Sequence, residues 1–383
     1  MQQTDKQDAI LNTLQDLIRL RTVDGRFDEF EKAVRYVEAF FDGTPLGVEK
    51  KYFNKYPALI ISRNKSKHPF FFLQGHLDVV DGADHQFQPV IKGDALFGRG
   101  SVDMKGFDAI AMHLLKDLAT QEPAIDAGMM LTFDEEIGGA NGAKKLAEAG
   151  YLPKILINGD GGYNYAVIHA EKGILKIKLS TQSESGRHPY PWDGQNAFDL
   201  LVRDYRQIMH TFEEQKLATE DNNWFTTYSS YDIKVENEPS FAPHYAEMKI
   251  NIYFTEDVTA DEMFEKIRKI VRFAKVEKLT ASERVYLPPD DEHVLTMRDL
   301  MQTYFQHPIE IRAENGSSDA RFFTNKGIPI VIVKVLGENH HGPDEHLYIP
   351  GIMPMYRSLR AFLQTYAHDK IKAEHNETVF QHS

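Results

Sequence analysis

The chain has 383 residues, 42% of them hydrophobic, with 44 Lys and Arg against 57 Asp and Glu and a formal net charge of -13. At roughly 100–200 residues per domain that length favours two domains, the apolar content excludes wholesale disorder, and an acidic balance without a basic stripe argues against nucleic acid as a partner. Cysteine is absent, which excludes disulfides and leaves any metal to His, Asp or Glu.

In chain order, the N-terminal stretch reads as a helix, because Ile10, Leu11, Leu14, Leu17 and Ile18 fall on one helical face. It lacks the basic-then-apolar pattern of a signal peptide. No apolar run approaches the ~20 residues that span a bilayer. The expectation is a soluble cytoplasmic protein with no membrane partner. PFFFL (69–73) reads as a buried strand, continuously apolar as strands covered on both faces are. KGFDAIAMHLLKDLA (105–119) follows as a helix, with Phe107, Ile110, Ala111, Leu114, Leu115 and Leu118 at helical spacing. MMLTF (129–133), KILIN (154–158) and IPIVIVKVL (328–336) are further strands of the first kind. This alternation predicts an α/β domain with a mostly parallel sheet and helices on both faces.

The middle of the chain changes character. GILKIKLSTQS (173–183) and HYAEMKINIYF (244–254) alternate as half-exposed strands do, while NAFDLLVRDYRQIMHTF (196–212) and ADEMFEKIRKIVRFA (260–274) read as helices. We place an inserted α+β domain at 172–284 and leave 1–171 and 285–383 to the α/β domain. The polar stretch 368–383 reads as a loose tail.

Each buried strand ends in residues able to bind metal. His76 and Asp78 follow the first, Asp134, Glu135 and Glu136 the second, Asp160 the third, and His340, His341 and Glu345 the last. In open α/β sheets the active crevice lies outside the carboxyl ends of the strands, so separate strand ends can meet there. The loop GRGSVDMKG (98–106) brings Asp103 to the same place. Zinc accepts imidazole nitrogen and carboxylate oxygen. Two ions sharing a carboxylate can clamp a hydroxide and polarise a carbonyl, provided another carboxylate shuttles the proton. On an extended chain Glu135 and Glu136 point opposite ways, so one can bind metal while the other faces the water. Asp78, two residues after His76, can accept the other ring N–H and fix its tautomer. No H-E-x-x-H, G-x-S-x-G, P-loop or complete G-x-G-x-x-G occurs.

GHLDVV, GRGSVDMKG, TFDEEIGG, INGDGG, SGRHPYPWDGQNA, ENGSSDARF and HHGPDE, running in order from residue 75 to 345, resemble the co-catalytic zinc hydrolases. These include acetylornithine deacetylase, succinyl-diaminopimelate desuccinylase, aminoacylase, glutamate carboxypeptidase and related di- and tripeptidases. The resemblance implies two zinc ions per chain, with cobalt or manganese as substitutes. His76 and Asp160 would hold one ion, Glu136 and a histidine the other, and Asp103 would bridge them through a loop whose Asp103–Met104 peptide would be cis. The family pattern, a Glu four residues on, selects His341 over His340. Glu135 would be general base and acid. His188 would donate to the developing oxyanion in the partner subunit's active site. Asn237 would contact substrate from the lid, and Gly316, Ser317, Asp319 and Arg321 would line the substrate pocket. The inserted domain would be lid and homodimer contact. Three features depart from the family pattern: Asp160 is often Glu in its deacylases, Asn251 and Tyr253 replace an Asp-x-Arg on the lid strand, and Pro189 follows the lid histidine.

The resulting expectation is a di-zinc hydrolase that cleaves an amide bond of an N-acyl amino acid or short peptide by metal-activated water. A dipeptidase or aminopeptidase is the alternative to a deacylase; Asp160 and the missing lid Arg lean that way. A non-catalytic binding protein on the same fold is a further alternative, opposed by the presence of all five inferred ligands and Glu135.

Overall fold

The computed structural model describes residues 3–121, 124–218, 224–255 and 257–380. The chain divides into two compact units, one of Met1–His169, Tyr286–Arg312 and Ser318–Ser383, the other of Ala170–Val285 and Ala313–Ser317. The sequence reading gave 313–317 to the α/β domain. That polar stretch, AENGS, has no periodicity to signal its side.

In the first unit the central strands are Ala127–Thr132, Phe71–His76, Ile155–Asn158 and Ile330–Ile332, neighbours in that order and parallel throughout. Every residue in them is buried, which is why they read as unbroken apolar runs. The last is shorter than IPIVIVKVL promised, although the Val333 N–H still donates to the Asn158 carbonyl at 3.0 Å. An antiparallel hairpin, Gly47–Phe53 and Tyr56–Ser62, extends the sheet beyond Ala127–Thr132. Its two-residue turn puts Asn54 and Lys55 at φ 49° and 77°. Such turns are signalled by Asn-Gly or Asp-Gly, and a Lys at the second place hid the hairpin.

Helices Gln3–Arg19 and Lys105–Thr120 pack together on one face of the sheet. Ile10, Leu14, Leu17 and Ile18 are fully buried, as are Phe107, Ile110, Ala111, Leu114 and Leu118; each large side chain so buried contributes about 1.5–3 kcal/mol. Lys105 is buried beside them, its Nζ donating to the Leu17 and Leu20 carbonyls at 3.0 and 2.9 Å. Both carbonyls lie where the helix Gln3–Arg19 ends, and they also accept the Leu20 and Thr22 N–H groups. The reading of 368–383 as a loose tail is corrected, because the helix Ile352–Phe380 runs through most of it. Leu359, Phe362 and Leu363 anchor that helix in the core, and no Gly or Pro follows to stop it. Residues 381–383 lie outside the described residues.

Asp108, also on Lys105–Thr120, is fully buried, and neither of its carboxylate oxygens has a hydrogen-bond partner among the described residues. It occupies the room left by Gly75, where a Cβ would lie 1.8 Å from its Oδ1. Burial pushes its carboxyl well above the usual range, so the folded chain binds this proton more tightly than the unfolded chain. Its contribution to stability is therefore complete at acid pH. It declines as pH rises past the unfolded value of about 3.9, by about 1.4 kcal/mol per pH unit, until the folded group ionises. Asp108→Asn keeps the shape without the titration. Urea unfolding at a series of pH values should show its stability relative to wild type rising from pH 4 upward; a constant difference would contradict this reading.

In the second unit a four-stranded antiparallel sheet runs Thr227–Glu236, Tyr245–Phe254, Gly173–Gln182, Lys275–Ser282. Helices Ala197–Ala218 and Ala260–Ile270 cover one face, where Leu175, Ile177, Leu179, Met248, Ile250 and Ile252 alternate inward. The two inner strands and both helices are those legible in the sequence. The outer strands are largely exposed and have no fully buried face.

Candidate metal centre

The fold brings the strand ends of the first unit together. His76 is the last residue of its strand. Asp160 follows Ile155–Asn158, and the Asn158 side chain accepts its N–H at 2.8 Å. Asp103 stands just before the helix Lys105–Thr120 in a loop turned by Gly100 at φ 82°, and the Asp103–Met104 peptide is cis. Glu135 and Glu136 lie in a short 3-10 turn, Glu135–Ile137, not on the extended chain expected. Their side chains nevertheless enter different groups of donor atoms. His76, Glu135 and Asp160 form one and Asp103, Glu136 and His341 the other, with the atoms of each group within 4.8 Å of one another.

The two groups meet at Asp103. Its Oδ1 lies 3.2 Å from His76 Nε2 and its Oδ2 lies 3.0 Å from His341 Nε2. His341 Nε2 is also 3.1 Å from Glu136 Oε2. Burial alone would lower the His76 pKa, but the hydrogen bond to Asp103 and the neighbouring Asp78 carboxylate hold it well above the ordinary value. Bonds to Asp103 and Glu136 push His341 up to about 10, while the two imidazoles hold Asp103 well below the carboxylate range despite its burial. Carboxylates thus crowd around two imidazoles that need protons to satisfy them. Cations can take the place of those protons, and hard carboxylate oxygen with imidazole nitrogen is a donor set that zinc, cobalt and manganese accept. His340 is exposed and contributes no donor atom to either group.

The orientation of His76 differs in detail from the sequence reading. Its Nδ1–H donates to the backbone carbonyl of Asp78 at 3.0 Å, and the Asp78 carboxylate stands at 3.4 Å. That carboxylate instead accepts the Glu136 N–H at 2.9 Å. The cause is local: the strand ends at His76, so the period-two geometry no longer aims the Asp78 side chain at the ring. With Nδ1–H committed to a carbonyl, Nε2 is the ring nitrogen that faces Asp103.

Glu135 is held well above the carboxylate range by burial, then by the nearby charge of Asp319. Arg321, read as a substrate contact, is buried in the first unit. Its Nη1 is 3.7 Å from Glu135, and Nη2 donates to the Gly138 carbonyl at 3.0 Å and stands 3.5 Å from Asp319. Its visible partners are therefore the residues around Glu135. His188, Asn237, Gly316 and Ser317 belong to the second unit. His188 and Asn237 are exposed, the His188 N–H donating to the Ser240 carbonyl at 3.0 Å and the Asn237 side chain to the Glu238 carbonyl at 3.3 Å. The sequence reading missed Arg99, and it took Glu345 as a strand-end candidate and as a spacing mark for His341; both touch the loops that carry the donors.

Residues 72–365 match the family described as Peptidase family M20/M25/M40. The chain is 24% identical over 397 residues to a probable succinyl-diaminopimelate desuccinylase of Staphylococcus aureus (strain N315), with 92% of each covered. Among solved structures it is similar to a tripeptidase of Staphylococcus aureus, with a TM-score of 0.74 and 15% identity over 94% of this chain and 99% of that one. It is also similar to a dinuclear metal binding peptidase of Bacillus subtilis, with a TM-score of 0.68 and 12% identity over 96% and 99%. At these identities the structural likeness shows the fold.

Proposed function

The chain belongs to peptidase family M20/M25/M40 and is a metallohydrolase; from that premise we propose that it cleaves an amide bond of an N-acyl amino acid or short peptide at a pair of zinc ions. One observation carries this reading: the two oxygens of Asp103 face two different imidazoles, as a bridging carboxylate requires. His76 and Asp160 would hold one ion, Glu136 and His341 the other, with Asp103 between. When bound, the pair supplies an acidified water and a Lewis acid for the amide carbonyl. Glu135 takes the proton of the attacking water and returns it to the departing amine. The Asp78 carbonyl fixes the His76 ring, and Arg321 orients Glu135. His188 is assigned to the oxyanion and Asn237, Gly316 and Ser317 to the substrate, on the resemblance of their motifs.

Release of free amine from N-acetyl and N-succinyl amino acids and from di- and tripeptides, by zinc-loaded enzyme, tests the reading. Turnover of at least one class is expected; none with any of them would overturn it. The desuccinylase among the relatives favours the acylated substrates. Asp160, together with Asn251 and Tyr253 on the strand Tyr245–Phe254, favours a peptidase. The protein is read as a homodimer through the second unit, where the edge strand Thr227–Glu236 exposes Tyr231, Ile233 and Val235 at alternate positions. Sedimentation equilibrium should give twice 43.9 kDa, and a monomer at micromolar concentration would count against it.

A further inference from the structure

We propose that Arg99 and Glu345, with Gln86, form a buried bracket that sets the distance from Asp103 to His341 and so positions the second of the two ions; this rests on the two-metal reading above. Arg99 is 3% and Glu345 2% exposed. Arg99 Nη1 donates to Glu345 Oε2 at 2.6 Å and Nη2 to the His341 carbonyl at 3.2 Å. The other Glu345 oxygen accepts the N–H groups of Val102 and Asp103 at 3.0 and 3.3 Å. Gln86 accepts the Arg99 N–H on its carbonyl at 2.8 Å, and its side chain donates to the Gly342 and Pro343 carbonyls at 3.0 and 3.2 Å. Apart from the ion pair itself, each of these bonds ends on the backbone of one of two loops, that of Asp103 or that of His341. His76 and Asp160 sit at the ends of sheet strands, and none of these bonds reaches them.

Energy alone does not explain the pair. A buried ion pair is commonly no more stabilising than apolar side chains of the same volume. What apolar side chains cannot supply is a fixed separation between two backbones. The planar guanidinium spans Glu345 and the His341 carbonyl with two fixed arms; a lysine ammonium offers a single point charge. Arg99 and Glu345 are accordingly positioning residues, acting on the ligands and not on the substrate.

The test is zinc titration, by calorimetry, of the full-length protein stripped of metal, in wild type and in Arg99→Lys, alongside thermal unfolding of both stripped forms. Wild type should take up two ions. Arg99→Lys should bind the first as wild type does and the second about 10–100-fold more weakly, the usual effect of removing a group that orients a ligand. Its metal-free melting temperature should stay within about 4 °C of wild type. Both ions bound as in wild type would overturn the bracket. Both weakened equally, with a lowered metal-free melting temperature, would reduce it to a general structural role and overturn it too. Wild type binding fewer than two ions would instead overturn the two-metal reading. If Arg99→Lys does not fold, Glu345→Gln, which keeps an oxygen for the two N–H groups and loses the charge, is held to the same outcomes.

Discussion

Replacing Glu135 by Gln lowers kcat about 10²–10⁴-fold, the span typical of a lost general base, while the enzyme keeps both ions and nearly unchanged KM. The substitution preserves shape and removes the proton acceptor. Arg321, 3.7 Å away, loses a charged partner but keeps its bond to the Gly138 carbonyl and its approach to Asp319, so the turn should hold. The metal count makes the result decisive, because a Glu135 oxygen lies among the donor atoms of His76 and Asp160. Loss of an ion together with turnover would make Glu135 a ligand and leave the proton shuttle unassigned. Turnover near wild type would remove it from both roles. Steady-state kinetics with metal analysis of the same sample separates the three outcomes.

Asp103→Ala should be more damaging still. The substitution removes both oxygens, so His76 and His341 lose a shared partner and neither donor group keeps its bridge. Zinc uptake should fall from two ions to one or none. kcat/KM should fall at least ~10³-fold, since the paired ions stabilise developing charge by several kcal/mol and each 1.36 kcal/mol is a factor of ten. Two tightly bound ions in Asp103→Ala, measured by the same calorimetry, would show that the carboxylate is not shared.

The centre was legible in the sequence for a physical reason. A strand covered on both faces must be apolar along its length, so its polar residues collect at its ends, and in a parallel sheet those ends lie on one side. His76, Glu135, Glu136 and Asp160 could be read that way. Asp103 could not be read alone, because an Asp in a glycine-rich loop is more often a turn or a cap; it stood out only beside the others. What stayed hidden gave no clear local signal. The hairpin turned on Asn54 and Lys55, the outer strands of the second unit had no buried face, and the 3-10 turn at Glu135 and Glu136 broke the alternation assumed for them. Arg99 and Glu345 are 246 residues apart, and no spacing rule joins them. Arg321 was visible as part of a motif, but its closeness to Glu135 depends on a loop that only the folded chain defines.

The central claim is that five donors from separate segments gather around two cations with Asp103 shared between them. Diffraction from zinc-loaded crystals at the zinc absorption edge tests it most directly. Two anomalous peaks about 3.5–4 Å apart, one beside His76 and Asp160, one beside Glu136 and His341, with the Asp103 carboxylate between, are the expected result. A single peak, or two peaks with Asp103 touching only one, would contradict it.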